Sequence, residues 1–261
     1  MSTWLYPTVI AHRGGGVLAP ENTLAGMRLA TERGFRGVEF DVMLAHDAVP
    51  VLMHDTQLGR TVAGHGAVSA HTAAELHAMD AGRWFDPAFA GEPVPSLKTV
   101  TAFCRANALW MNVEIKPAPG AEAETGTLVA RELLASCAAE LLTPAAPLLS
   151  SFSQPALQAA RAAAPALARA WLVDRVPSDW EAQCTALGVV SLHVNQRHLD
   201  RVTAHAVKQS RLGLFCYTVN DPARAAELLE WGIDAFCTDR LDLIGPNFQG
   251  RPTGAVTNSL P

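Results

Sequence analysis

Gly37-Val38-Glu39-Phe40-Asp41-Val42 is an apolar run interrupted by two carboxylates. Side chains alternate along a strand, so Glu39 and Asp41 share one face. A second stretch, Trp110-Met111-Asn112-Val113-Glu114-Ile115-Lys116, repeats the pattern and puts Glu114 and Lys116 on one face. Burying carboxylates on apolar strands is costly unless something positive neutralises them. A divalent cation with Lys116 beside it meets that need. The pattern points to chemistry on an anion.

Strand-like and helix-like stretches alternate outward from these two. Residues 8–12, 38–42, 109–116, 148–152, 168–173, 189–195, 212–219 and 233–238 read as strands, and 49–54 as a further extended piece. Residues 23–33, 122–140, 155–164, 179–187, 198–209 and 222–231 read as helices, the first with Asn22 as N-cap and Gly34 as its close. Roughly eight strand-helix units result, the number expected of a closed (β/α)8 TIM barrel. A doubly wound open sheet is the alternative. It lacks its dinucleotide fingerprint, because His12-Arg13-Gly14-Gly15-Gly16 has the wrong spacing. Residues 56–95 break the alternation with glycines and prolines around Trp84-Phe85. They read as a small insertion after the second strand, forming a lid or wall at the barrel mouth. The whole, 1–261, reads as one domain, with a polar tail from Gly250 expected to be loosely ordered.

A hydrophobic fraction of 49% is ample for such a core. A net charge of -5 without a Lys/Arg run gives no nucleic-acid footprint. Met1-Ser2-Thr3-Trp4-Leu5-Tyr6-Pro7 has no signal-peptide pattern, and no apolar run is long enough for membrane insertion. The five cysteines are scattered, odd in number and free of C-x-x-C spacing. They read as buried thiols in a reducing compartment, which makes a cytoplasmic location the expectation.

The charged residues fall at strand ends, where barrel active sites form. His12 can move a proton in either direction near neutral pH, and the Arg13 fork suits phosphate or carboxylate oxygens. Glu39, Asp41 and Glu114 are hard oxygen ligands that select Mg²⁺, Ca²⁺ or Mn²⁺ over zinc. The alternative is a salt-bridge network with Lys116, Arg13 and Arg36. Three carboxylates, one divalent cation, Lys116 and Arg13 leave one net positive charge, which a phosphodiester monoanion neutralises. His54 is either a second proton carrier or a histidine held by Asp55 in a turn. His193, on an apolar strand, is a core histidine satisfied by a neighbour or a minor substrate contact. Trp84, Phe85, Phe152, Trp171 and Tyr217 wall a small pocket or fill the core. Ser150-Ser151 lacks a nucleophile elbow. The Pro20-Glu21-Asn22-Thr23 turn caps the first helix, and Glu21 is within reach of the site.

Taken together, His12-Arg13-Gly14, Pro20-Glu21-Asn22-Thr23, Glu39-x-Asp41, His54-Asp55 and Glu114-Ile115-Lys116 resemble the signature of glycerophosphodiester phosphodiesterases. Ser151-Phe152, Tyr217-Thr218-Val219-Asn220 and Thr238-Asp239-Arg240 agree with it. The resemblance runs from Ile10 to about Pro246 and is closest to the short cytoplasmic bacterial type. The 14–19 loop varies in that family, and Asp239 stands where asparagine is also common. The resemblance implies a (β/α)8 barrel with an insertion after the second strand. It implies metal-dependent hydrolysis of small glycerophosphodiesters, such as glycerophosphocholine and glycerophosphoethanolamine, to glycerol 3-phosphate and an alcohol. By position, Glu39, Asp41 and Glu114 match the ligands of Mg²⁺ or Ca²⁺, His12 and His54 the acid/base pair, and Arg13 and Lys116 the phosphate contacts. Phe152 and Tyr217 are further candidates for substrate contact. The nucleophile is either a water on the cation or the glycerol 2-hydroxyl. Two rivals stand beside this reading: an enzyme of lysophospholipids or a sphingolipid headgroup, and a non-catalytic sensor of glycerophosphodiesters.

Overall fold

The computed structural model describes residues 4–250; the rest of the polar tail, 251–261, lies outside the described residues. The strands are β1 (Val9–Ala11), β2 (Gly37–Leu44), β3 (Pro50–Leu52), β4 (Trp110–Ile115), β5 (Leu148–Ser151), β6 (Ala168–Val173), β7 (Ser191–Asn195), β8 (Gly213–Tyr217) and β9 (Ala235–Thr238). They pair in the order β1-β9-β8-β7-β6-β5-β4-β2-β3, and β1 also pairs with β2. That last pairing closes a ring of eight parallel strands. The 49–54 piece does not join the ring. Its β3 pairs antiparallel with the far end of β2, Val42 opposite Leu52 and Leu44 opposite Pro50.

The helices are α1 (Leu24–Glu32), α2 (Ala73–His77), α3 (Leu97–Ala106), α4 (Glu122–Ser136), α5 (Gln154–Ala163), α6 (Trp180–Leu187), α7 (Arg201–Gln209) and α8 (Pro222–Glu230). Each lies between successive ring strands, α2 sharing the β2–β4 connection with α3. The helix α3 is a feature the sequence reading passes over. Its apolar spacing is regular, with Leu97, Val100, Thr101 and Cys104 buried, and the Ser96 hydroxyl caps it by accepting from the Thr99 N–H. The glycines and prolines just before it mask that period. The first helix starts one residue later than expected. Thr23 is its N-cap, accepting from the Gly26 N–H, because Asn22 sits in the left-handed region at φ 57°.

Alternation along the strands sorts the side chains into two layers. Val38, Phe40, Val42, Val113 and Ile115 face outward into the core beneath the helices. Ile10, Trp110, Leu148, Ala170, Phe215 and Ala235 fill the inside of the ring. Trp4 and Tyr6 pack against that inner cluster, with Tyr6 stacked on Trp110 at 4.6 Å between ring centroids. The insertion has its own small core, where Leu58, Val62, Val68 and Leu76 meet Met43 and Val51 of the β2–β3 hairpin. Among the described residues no helix is long and apolar enough to cross a membrane.

Candidate active site

The register of β2 against β4 sets Asp41 directly opposite Glu114. One carboxylate oxygen from each of Glu39, Asp41 and Glu114 lies within 4.8 Å of the others, an arrangement able to hold a divalent cation. Asp41 is the best supported. Asn22 donates to it at 2.8 Å and accepts its backbone N–H at 3.1 Å. Arg13 Nε stands 3.4 Å away and Lys116 Nζ 3.6 Å away. Burial opposes its charge, but Arg13 and Lys116 outweigh that and hold Asp41 below the usual carboxylate range. Glu39 and Glu114 are less well served. Burial, with the Asp41 charge beside them, pushes Glu39 up to about 7 and Glu114 up to about 8. Lys116 is 3.5 Å from Glu114. The cluster carries more negative charge than its side-chain neighbours neutralise, and a divalent cation would relieve it. Arg36 takes no part. It lines a 760 Å³ cavity at the opposite end of the barrel with Tyr6 and Trp110, so that branch of the salt-bridge alternative falls away.

His12 leaves the end of β1 with its Nδ1 2.5 Å from Asp239 Oδ1 and its Nε2 3.7 Å from Glu39 Oε2. The Asp239 contact therefore turns Nε2 toward the carboxylates. Asp239 is fixed in turn by Asn220, which donates to its carboxylate at 2.9 Å and accepts its backbone N–H at 2.8 Å. Burial works against a charged His12, but the Asp239 hydrogen bond and the Glu39 charge overcome it and raise the imidazole. The turn that follows presses close: a Cβ on Gly16, at φ +54°, would lie 2.2 Å from the Asp239 carbonyl oxygen. Arg13 itself adopts a left-handed φ of 51°, local strain that aims its side chain at Glu21, 2.8 Å away, and at Asp41.

His54 comes from the loop after β3, with Nδ1 2.7 Å from Asp55 Oδ1. Burial, helped by the Arg13 and Lys116 charges, lowers its pKa against the pull of Asp41 and Asp55. Two clefts flank the cluster. One of 830 Å³ is lined by His54, Glu114, Lys116, Met43, Leu58 and Phe152. The other, of 390 Å³, is lined by His12, Arg13, Glu21, Trp84, Phe85 and Asp239. Phe152 is 48% exposed, and its ring meets Tyr217 edge-on at 5.8 Å. The Tyr217 hydroxyl donates to the Val173 carbonyl at 3.0 Å, so Tyr217 backs Phe152. His193 is wholly buried and stacks on Phe215 at 4.4 Å. Neither of its ring nitrogens has a partner among the described residues. It lines neither cleft, and the neighbour expected to satisfy it is missing among the described residues.

This arrangement has relatives. The profile of the Glycerophosphoryl diester phosphodiesterase family matches residues 12–243. The chain belongs to this family. A glycerophosphodiester phosphodiesterase of Caldanaerobacter subterraneus is 30% identical over 236 residues, 88% of this chain and 93% of that one. A phosphodiesterase structure from Oleispira antarctica, in complex with its product sn-glycerol-3-phosphate, is 35% identical. Its TM-score is 0.83, and the match covers 89% of this chain and 93% of that one. A glycerophosphodiester phosphodiesterase structure from Agrobacterium tumefaciens matches at 25% identity and a TM-score of 0.74, covering 94% and 99% of the two chains. The chain is therefore a glycerophosphodiester phosphodiesterase built as a closed eight-stranded barrel.

In this phosphodiesterase the six charged residues singled out from strand ends, His12, Arg13, Glu39, Asp41, Glu114 and Lys116, do come together, and His54 joins them from outside the ring. Asp239 and Asn220 stand at strand ends and in the family signature, and the structure gives them the task of holding His12. Asn22 turns from capping to hold Asp41. Arg60, which pairs with both Asp55 and Glu21, lies in a glycine-rich segment with no period to place it.

Proposed function

We propose that this phosphodiesterase hydrolyses small glycerophosphodiesters, glycerophosphocholine and glycerophosphoethanolamine among them, to glycerol 3-phosphate and the free alcohol. The observation that carries the reading is the carboxylate triad set between two histidines, each tethered at Nδ1 by its own aspartate. A cleft opens on either side, leaving room for two substituents on one phosphate. Glu39, Asp41 and Glu114 would hold Mg²⁺ or Ca²⁺, whose hard-oxygen preference suits an all-carboxylate set. Such a cation, when bound, supplies a Lewis acid for a phosphoryl oxygen.

Arg13 and Lys116 contact the remaining phosphoryl oxygens and stabilise the charge that grows on them. His12 and His54 present Nε2 to the substrate. One accepts the proton of the attacking hydroxyl, either of water or of the glycerol 2-hydroxyl, the latter giving a cyclic phosphate that water then opens to glycerol 3-phosphate. The other gives a proton to the departing alkoxide as its P–O bond breaks. Phe152, braced by Tyr217, walls the larger cleft. A sensor has no use for two oriented proton carriers. The cytoplasm is the proposed setting, since all five cysteines are buried and free. The partner is a small molecule, with no nucleic acid and no stable membrane insertion.

Release of glycerol 3-phosphate from glycerophosphocholine and glycerophosphoethanolamine, and of p-nitrophenol from bis(p-nitrophenyl) phosphate, each with chelator, Mg²⁺ or Ca²⁺, tests this. Cation-dependent release from the two glycerol substrates, with little cleavage of the synthetic diester, is the expected result. Full activity in chelator would remove the cation. Faster turnover of lysophosphatidylcholine than of glycerophosphocholine would move the assignment to lysophospholipids. Glu39→Gln and Glu114→Gln should each weaken cation binding by about 10-fold or more, read by calorimetry; unchanged affinity strikes that residue from the ligand set.

A further inference from the structure

Arg60 stands in the insertion, outside the ring and on the wall of the 830 Å³ cleft, and all three of its guanidinium nitrogens donate to site carboxylates. Its Nε donates to Asp55 Oδ2 at 2.5 Å. Its two terminal nitrogens donate to the two oxygens of Glu21 at 2.7 Å each. These carboxylates serve different arms of the site. The other oxygen of Asp55 holds His54 Nδ1, and Glu21 Oε1 also accepts from Arg13 at 2.8 Å. One planar fork thus joins the β1–α1 loop to the loop after β3, and reaches His54 through one carboxylate and Arg13 through the other.

The alternative is an ordinary surface ion pair. The Arg60 side chain is 45% exposed, and isolated pairs at that exposure contribute little to stability. Such a pair does not call for three nitrogens divided between two carboxylates that each already hold a residue of the site. Only a guanidinium presents that geometry; an ammonium is a point charge. The charges also balance locally. Burial resists ionisation of Glu21 and Asp55, but the Arg60 hydrogen bonds, with those of Arg13 and His54, keep both carboxyls below their ordinary range.

We propose that Arg60 is a positioning residue for the phosphodiesterase reaction, fixing Asp55 and Glu21 so that His54 and Arg13 face the carboxylate triad. Three of its five N–H donors are committed to Asp55 and Glu21, and its role is placed there rather than on the phosphate. The proposal rests on the reading of His54 as a proton carrier and adds the device that orients it. Without Arg60, Asp55 is free to rotate away from His54, and Glu21 draws on Arg13 unopposed.

The test compares wild type, His54→Ala, Arg60→Ala and Arg60→Lys on glycerophosphocholine with saturating cation, resolving kcat from KM and recording thermal unfolding. Arg60→Ala should lower kcat by about 10–100-fold, the scale of a misplaced group, with KM within about 3-fold. Its unfolding temperature should stay near that of wild type. Guanidinium ion at a sub-denaturing concentration should restore part of its kcat, and Arg60→Lys should fall between the two. Adding Glu21→Gln to Arg60→Ala should cost little more, because both act through one unit. If His54→Ala keeps wild-type turnover, the proton-carrier reading falls and this proposal with it. If His54→Ala collapses while Arg60→Ala keeps kcat within about 2-fold, the Arg60 proposal alone is overturned. A raised KM at unchanged kcat, or a loss that tracks lowered thermal stability without rescue by guanidinium, overturns it as well.

Discussion

His12 and His54 are held by the same device in two unlike regions. Each imidazole gives Nδ1 to a carboxylate, and each carboxylate is gripped by a third residue. For His12 the chain of support runs through the ring itself: Asp239 follows β9, and its backbone N–H and carboxylate are both tied to Asn220. For His54 it runs through the insertion, where Asp55 is held by the side chain of Arg60. The His12 side chain is 16% exposed and that of His54 30%. A partner anchored by its backbone on a packed strand end has few other positions to take. A partner anchored by a long side chain has many. The barrel half of the site is fixed by the fold, and the insertion half by electrostatics.

The sharpest way to break this contrast is to remove the two aspartates. Asp239→Ala and Asp55→Ala should both lower kcat, by about 100-fold or more for the first and about 10-fold for the second. Steady-state turnover with circular dichroism as the fold control decides it. Equal losses would erase the distinction between the two regions.

His193 is the control case, a ring histidine with no carboxylate at all. Burial depresses it to about 3, so the folded protein keeps it neutral. The unfolded chain takes up that proton below about 6.5, so stability falls as pH drops through the window from there toward 3. His193→Phe should flatten that acid limb in urea titrations between pH 7 and 4; an unchanged slope would mean the imidazole is already charged or hydrated.

Gly16 probes the barrel half by a smaller push. Gly16→Ala adds a Cβ against the Asp239 carbonyl at a left-handed φ, and should cost about 1–3 kcal/mol of stability, with turnover reduced through His12. A neutral outcome in both measurements would show the turn to be soft.

The smallest effect expected is that of salt. Raising ionic strength should lower wild-type kcat by no more than about 2-fold through the exposed Arg60 pairs. It should have no effect in Arg60→Ala. A salt response that survives that substitution belongs elsewhere in the site.

The ring was legible because its strands are apolar runs whose exceptions, Glu39, Asp41 and Glu114, recur at a spacing of two or at a strand end. The helices after β5 carry their own apolar period and an N-cap serine or aspartate. Residues 49–54 read as extended, but nothing in the three apolar residues of β3 says whether they join a ring or fold back on β2. α3 was hidden by the glycines and prolines before it. The site residues on strands were found for the same reason the strands were. Asn22 and Arg60 were not, because a left-handed turn and a loop arginine acquire their meaning only from what tertiary packing brings beside them.

β2 is longer than the ring requires. Residues 37–42 pair with β4, and 42–44 run on to pair with β3. The chain re-enters beside the same place, since the Leu52 N–H donates to the Pro95 carbonyl at 2.9 Å. The entry and exit of the insertion are therefore stitched together at one seam. Everything between, including His54, Asp55 and Arg60, is a cassette hung on a strand that also carries Glu39 and Asp41. Exchanging that cassette between relatives at Met53 and Pro95 would transplant one proton carrier with Asp55 and Arg60, and leave Glu21, the other histidine and the carboxylate triad in place.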